Sequence, residues 1–164
     1  MSESKTVASP LAGPSDTDVM CVLCTPGKAF RSVHVPRDDP RLREDDIDND
    51  PCPILSILGL PYALVKVRNV PGSNQFATYL MVEPLTGFAP LSWQDDVGEV
   101  LLVNTDGRDT TVKHAQALWG YMYTLMNAYG EEDSGASVRN LLTRESFLKE
   151  VNECEPGLEW HFQN

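Results

Sequence analysis

Residues 110–129 read TTVKHAQALWGYMYTLMNAY. Within this stretch Val112, Ala115, Trp119, Met122, Met126 and Tyr129 recur at intervals of 3, 4, 3, 4 and 3. That is the spacing of one stripe along an α-helix, and a strand would scatter the same residues over two faces. Asp109 or Thr110 supplies an N-cap oxygen, and Gly130 suits the end. His114 falls beside the stripe, in line with Leu118 and Tyr121. A methionine and aromatic stripe at this period is read as a core face, so the helix over 110–129 is expected to lie across a sheet.

The sheet is sought on the N-terminal side of that helix. VMCVLC (19–24) is a continuous apolar run of strand length, Thr25-Pro26-Gly27-Lys28 is a turn, and AFRSVHV (29–35) completes a hairpin. YALVKVRNV (62–70) alternates, with Val65 and Val67 on one face. Pro71-Gly72-Ser73-Asn74 is a turn that would deliver ATYLMVE (77–83) as its partner strand. VLLVN (100–104) is apolar on both faces, which places it centrally. Between these, PILSILG (53–59) opens on proline and stops on glycine, as a short helix does. A second helix over 143–152 takes Thr143 as N-cap, turns Phe147, Leu148 and Val151 inward and ends at Glu155-Pro156-Gly157. LEWHFQN (158–164) either docks as an extended segment or hangs free.

The expected fold is therefore α+β: one mainly antiparallel sheet of about five strands, covered by the helix at 110–129 and supported by the helix at 143–152. Residues 1–17, rich in Ser, Pro, Gly and Thr, have little to bury and read as a disordered tail before a single domain over 18–164. Residues 36–50 carry seven acids against three arginines and read as a solvated loop. GEEDSGAS (130–137) reads the same way.

Charge narrows the class of partner. The 164 residues carry 13 Lys+Arg and 24 Asp+Glu, a net charge of −11, which disfavours nucleic acid and anionic membrane surfaces and suits a basic protein partner. The four cysteines, Cys21, Cys24, Cys52 and Cys154, read as reduced thiols. The N-terminal stretch holds no apolar run of signal-peptide type, and nothing reaches membrane-spanning length, so a cytoplasmic location is expected.

Motifs for chemistry are few. EDDIDNDPCP (44–53) places Asp46, Asp48 and Asp50 at alternate positions, as a calcium loop begins, but an EF-hand started at Asp46 would need Gly and Glu where Pro51 and Ile57 stand. Cys21 and Cys24 form a CxxC with no second pair for zinc, and on a strand they face opposite ways. No phosphate-binding glycine loop and no nucleophile elbow occurs. The carboxylates Asp95, Asp96 and Glu99 cluster, and glycosidase chemistry would need two of them in one cleft with separated acidities. No metal and no cofactor is expected.

LTGFAPLSW (85–93) stands out instead. Gly87 and Pro90 break it into irregular backbone, yet it carries Phe88, Leu91 and Trp93, which either fold onto the sheet or stay outside as a contact patch.

Four stretches, VLCTPGKAFRSVHV, ILSILGLPYALVKVRNV, YLMVEPLTGFAPLSW and VGEVLLVNTDGRD, resemble in succession a small domain of unknown function found in phage, plasmid and bacterial proteins. The likeness covers about residues 19–110. It implies a compact α+β fold and carries no activity or site residues. The acidic insertion at 36–50 and the helices after residue 110 depart from that pattern.

The leading functional expectation is a non-catalytic intracellular interaction module using Phe88, Leu91 and Trp93, the acidic loops, or both. One alternative is a small enzyme built around His114 and nearby acids. Another is an acidic mimic of nucleic acid that inhibits a DNA-binding protein, although the charge gathers as −4 in residues 36–50 and −5 in residues 128–160, like two loops. Oligomeric state is left open.

Overall fold

The computed structural model describes residues 17–43, 45–46, 48–94, 96–130 and 134–163. The expected tail therefore lies almost wholly outside the described residues. Five strands form one antiparallel sheet: β1 (Asp18–Cys24), β2 (Arg31–Pro36), β3 (Asn49–Pro51), β4 (Tyr62–Arg68) and β5 (Glu99–Asn104). Their spatial order is β2-β1-β5-β4-β3. The fold is α+β, with β5 in the centre as its two apolar faces require. Leu102 aligns with Val22 of β1 on one side and Leu64 of β4 on the other.

Both faces of the inner strands are buried. Val22, Leu64 and Leu102 point to the main core beneath the helices. Val19, Cys21, Leu23, Ala63, Val65, Leu101 and Val103 form a second cluster on the reverse face, closed by Leu42 from the short 3-10 turn Pro40–Leu42. Cys21 and Cys24 thus sit in different clusters. Only the first half of β4 is covered in this way: Val65 is buried but Val67 is 42% exposed, contrary to the expected shared face. A register shift between Lys66 and Arg68 accompanies the change.

The strand count matches expectation, but the membership does not. Residues 77–83 do not pair with β4: Gln75–Leu80 form helix α2. The cause is Asn74. Its side-chain oxygen caps Ala77 N–H at 3.1 Å while its amide donates to Gly98 O at 2.7 Å and Cys24 O at 3.3 Å, so the chain leaves the turn coiling. Spacing by four then buries Phe76 with Leu80. The outer neighbour of β4, opposite β5, is β3, drawn from the stretch read as solvated loop, and held because Asn49 donates its amide to Arg41 O at 3.0 Å and to Arg43 O.

Helix α1 (Pro53–Leu58) ends as expected at Gly59, whose φ of 87° is left-handed. Helix α3 (Val112–Tyr129) is capped by Thr111, one residue past the expected positions, in a reciprocal capping box with His114. Its buried face is also rotated from the expected stripe. His114, Ala115, Leu118, Tyr121, Met122, Leu125 and Ala128 are buried, whereas Trp119, Met126 and Tyr129 sit at the margin. The line through His114, Leu118 and Tyr121 is the core because helices pack against α3 on that side as well as the sheet.

One of them is α4 (Ser134–Leu141), where a loop was expected through residue 137. Val138 buries against the core, and Tyr121 donates its hydroxyl to Leu141 O at 2.8 Å. Helix α5 (Arg144–Cys154) starts at the expected Thr143 cap and buries Phe147 and Val151. The last residues dock. Gln163 N–H donates to Gly59 O at 2.6 Å, Arg144 bridges Leu58 O and Gln163 O, and Trp160 meets Phe147 edge to face at 4.9 Å. Among the described residues no helix is long and apolar enough to cross a membrane.

Candidate functional site

The segment after α2 is shaped by hydrogen bonds rather than by periodicity. Gly87 N–H donates to Glu83 O at 2.9 Å, Glu83 N–H to Phe88 O at 3.0 Å, and Phe88 N–H to Thr86 Oγ1 at 3.2 Å. Gly87 has φ +77°, and a Cβ there would lie 2.8 Å from the Tyr129 ring, so the turn presses onto the end of α3 as only glycine allows. Tyr129 donates its hydroxyl to Pro84 O at 2.6 Å, and burial holds that phenol above its ordinary range.

A loop pinned this way fixes what it presents. Leu85 is 98% exposed and Phe88 73% exposed. Facing them are Ile57 on α1, which is 57% exposed, and Val138 and Leu142 across α4 and its end. Together with Met126 they line a predominantly apolar groove of about 970 Å³. Exposed apolar groups around a preformed concavity are the usual mark of a contact site.

The expected patch is divided by the structure. Phe88 belongs to this groove. Leu91 is 90% exposed but does not line it. Trp93, expected at the same surface, is buried: it joins the main core, donates its indole N–H to Asp50 Oδ2 at 2.6 Å, and lies under Lys66 Nζ at 4.7 Å. The indole has apolar neighbours and a carboxylate to satisfy its one donor, and both draw it inward. Leu85 and Ile57 were not singled out in the sequence. Ile57 had a signal, since it falls out of phase with the buried Ile54, Leu55 and Leu58 on α1.

His114 occupies a different kind of site. It lines a polar cavity of about 400 Å³ with Tyr62, Asn104, Asp109 and His161. Both ring nitrogens are already engaged: Thr111 N–H donates to Nδ1 at 3.1 Å, and Nε2–H donates to Glu159 O at 2.9 Å. This set requires the neutral Nε2–H tautomer and leaves no lone pair for a general base. Burial lowers the His114 pKa, the Glu159 carbonyl opposes that, and nearby His161 adds to the lowering.

Because the folded pKa lies below the ordinary 6.5, the unfolded chain takes up the proton first as pH falls. The stabilising contribution is full above about pH 6.5 and is lost as pH drops through the folded value. Urea denaturation across this window is expected to give a steeper loss for wild type than for His114→Ala. Parallel pH profiles would contradict it.

Several of the remaining chemical candidates are committed to structure. Burial pushes the Cys21 thiol up to about 12 and the Cys24 thiol up to about 11, and Cys52 is raised for the same reason. Glu99 accepts from the Thr25 hydroxyl at 2.6 Å and from Arg68 Nε at 3.1 Å, and the Thr25 bond first, then Arg68, lowers its pKa. Asp95 lies outside the described residues. In the acidic stretch Asp46 accepts Asp48 N–H at 2.7 Å and Asp50 holds Trp93. Among the described residues no three His, Cys, Asp or Glu side chains are placed to hold one metal ion.

No protein-family description matches this chain, and neither a curated protein nor a solved structure does.

Proposed function

We propose that this chain is a non-catalytic intracellular interaction module that holds a protein partner in the groove between the 83–88 loop, α1 and α4. The observation that carries the reading is the pair Leu85 and Phe88, held outward on a hydrogen-bonded turn above an apolar floor. A partner would insert one or two large apolar side chains there. With a net charge of −11 on this chain, basic residues flanking the inserted ones suit it best. That both His114 nitrogens are engaged in the fold favours this reading over the enzyme alternative.

The test uses the exposure differences. Leu85→Glu/Phe88→Glu is expected to reduce partner recovery from cell extract by about tenfold or more, as loss of a central anchor does. Its melting temperature should match wild type, since both side chains are exposed. Leu91→Glu, outside the groove, should leave recovery unchanged. A photo-crosslinking residue at position 88 should capture the same partner that a crosslinker at position 91 misses. Retained recovery by the double variant would overturn the reading.

A further inference from the structure

At the C-terminal end of β1 a further concavity is built by two abutting turns. In the first, Thr25–Lys28, Lys28 N–H donates to Thr25 O at 3.1 Å and Gly27 has φ +74°. The second follows β4, where Gly72 has φ +111° and would place a Cβ 3.0 Å from the Pro26 Cβ. Asn74 ties the pair to the sheet through its bonds to Cys24 O and Gly98 O. Between the turns lies a cleft of about 350 Å³, within the size range of small-molecule sites.

Its inner wall is aromatic. Phe30 and Phe76 meet at 4.7 Å and 64°, Phe76 and Trp119 at 6.3 Å, and Tyr79 stacks on Trp119 at 5.2 Å and 17°. Phe30 and Trp119 are only partly buried, so ring surface faces the cleft. The rim is polar and carries Ser73 and Lys28, both exposed. Among the described residues Lys28 forms no ion pair.

The local charge is opposite to that of the whole chain. Among the described residues Lys28 is the one charged side chain in the cleft's lining, and Glu99 behind Thr25 is taken by the Thr25 hydroxyl and Arg68, with Arg31 also acting on it. An unpaired ammonium beside an aromatic wall selects a flat ring that brings its own negative charge.

We propose that this cleft binds a small planar aromatic anion, its ring against Phe30, Phe76 and Trp119 and its carboxylate or phosphate on Lys28 and the Ser73 hydroxyl. The site shares no lining residue with the groove of Leu85 and Phe88, so each can fail without the other.

The experiment titrates the full chain with 2-naphthoate by calorimetry and follows the amides of residues 73–76 and the Trp119 indole by NMR. One saturable site is expected, with shifts at those groups. Lys28→Met keeps the side-chain stem, alters nothing buried, and should weaken 2-naphthoate by about tenfold or more. Neutral 2-naphthamide should not distinguish the variant from wild type. A parallel titration with adenosine 5′-monophosphate separates the two sources of anion: tighter binding than 2-naphthoate assigns a phosphate ligand, weaker binding a carboxylate. Absence of saturation by either probe at about 10 mM overturns the proposal. So does equal 2-naphthoate affinity in Lys28→Met, and so do shifts confined to Leu85 and Phe88.

Discussion

Phe147→Ala is expected to cost about 3–5 kcal/mol of folding stability, the range for removing a large buried ring. Phe147 is fully buried, and three aromatic neighbours meet it at steep angles: Tyr121 at 5.0 Å, Trp160 at 4.9 Å and Phe162 at 6.2 Å. Two of these lie on the C-terminal segment, so the ring is what that segment docks upon. Urea denaturation should therefore report a lower midpoint. Native-state tryptophan fluorescence should shift as Trp160 loses its contact. Phe147→Leu, which keeps most of the volume, should cost less than about 1.5 kcal/mol. A loss below about 2 kcal/mol for the alanine variant would mean that the neighbouring rings close over the space and that docking does not depend on Phe147.

Asn74→Ala should lose about 3 kcal/mol or more, by a different route. The side chain is 2% exposed and serves four groups at once: it accepts from Ala77 N–H and the Cys24 thiol, and donates to Gly98 O and Cys24 O. Truncation strands several buried polar groups, each costing about 1–3 kcal/mol without a partner. Asn74→Asp keeps the acceptors but turns a carboxylate oxygen toward two carbonyls. At neutral pH it should be at least as damaging as alanine. If aspartate were tolerated, the donor bonds to Gly98 and Cys24 would not be what holds α2 against the sheet.

Asn74 also separates the elements that local pattern shows from those it hides. VLLVN announced a central strand because its apolar run has no polar face to give to solvent. Helix α3 announced itself by period, although its true core line runs through Leu118 and Tyr121, because periodicity marks an apolar arc without saying how many elements pack on it. ATYLMV was apolar all round and short, a pattern that fits strand and helix equally, and Asn74 decided between them through contacts with β1 and β5 that no local pattern contains. β3 was invisible for the opposite reason. Asn49, Asp50 and Pro51 have low strand preference, and their pairing depends on Asn49 reaching back to Arg41 and on Asp50 holding Trp93.

The candidate site was half legible. Phe88 and Trp93 have the same kind of sequence surroundings, yet one points outward and the other is sealed by a carboxylate from a distant strand. In irregular backbone there is no period to assign a face, so composition could nominate the segment but not sort its members. The cleft beside Lys28 joins residues from the first hairpin, α2 and α3, and only the folded chain brings them together.

The strand order has a consequence for how the chain is made. The middle position of the sheet belongs to its last strand, so a nascent polypeptide leaving the ribosome carries the first hairpin and β4 with greasy edges open until residues 99–104 emerge. Synthesis stalled before that point should yield a sticky, chaperone-dependent fragment, whereas release of the final slat lets both halves zip onto it together.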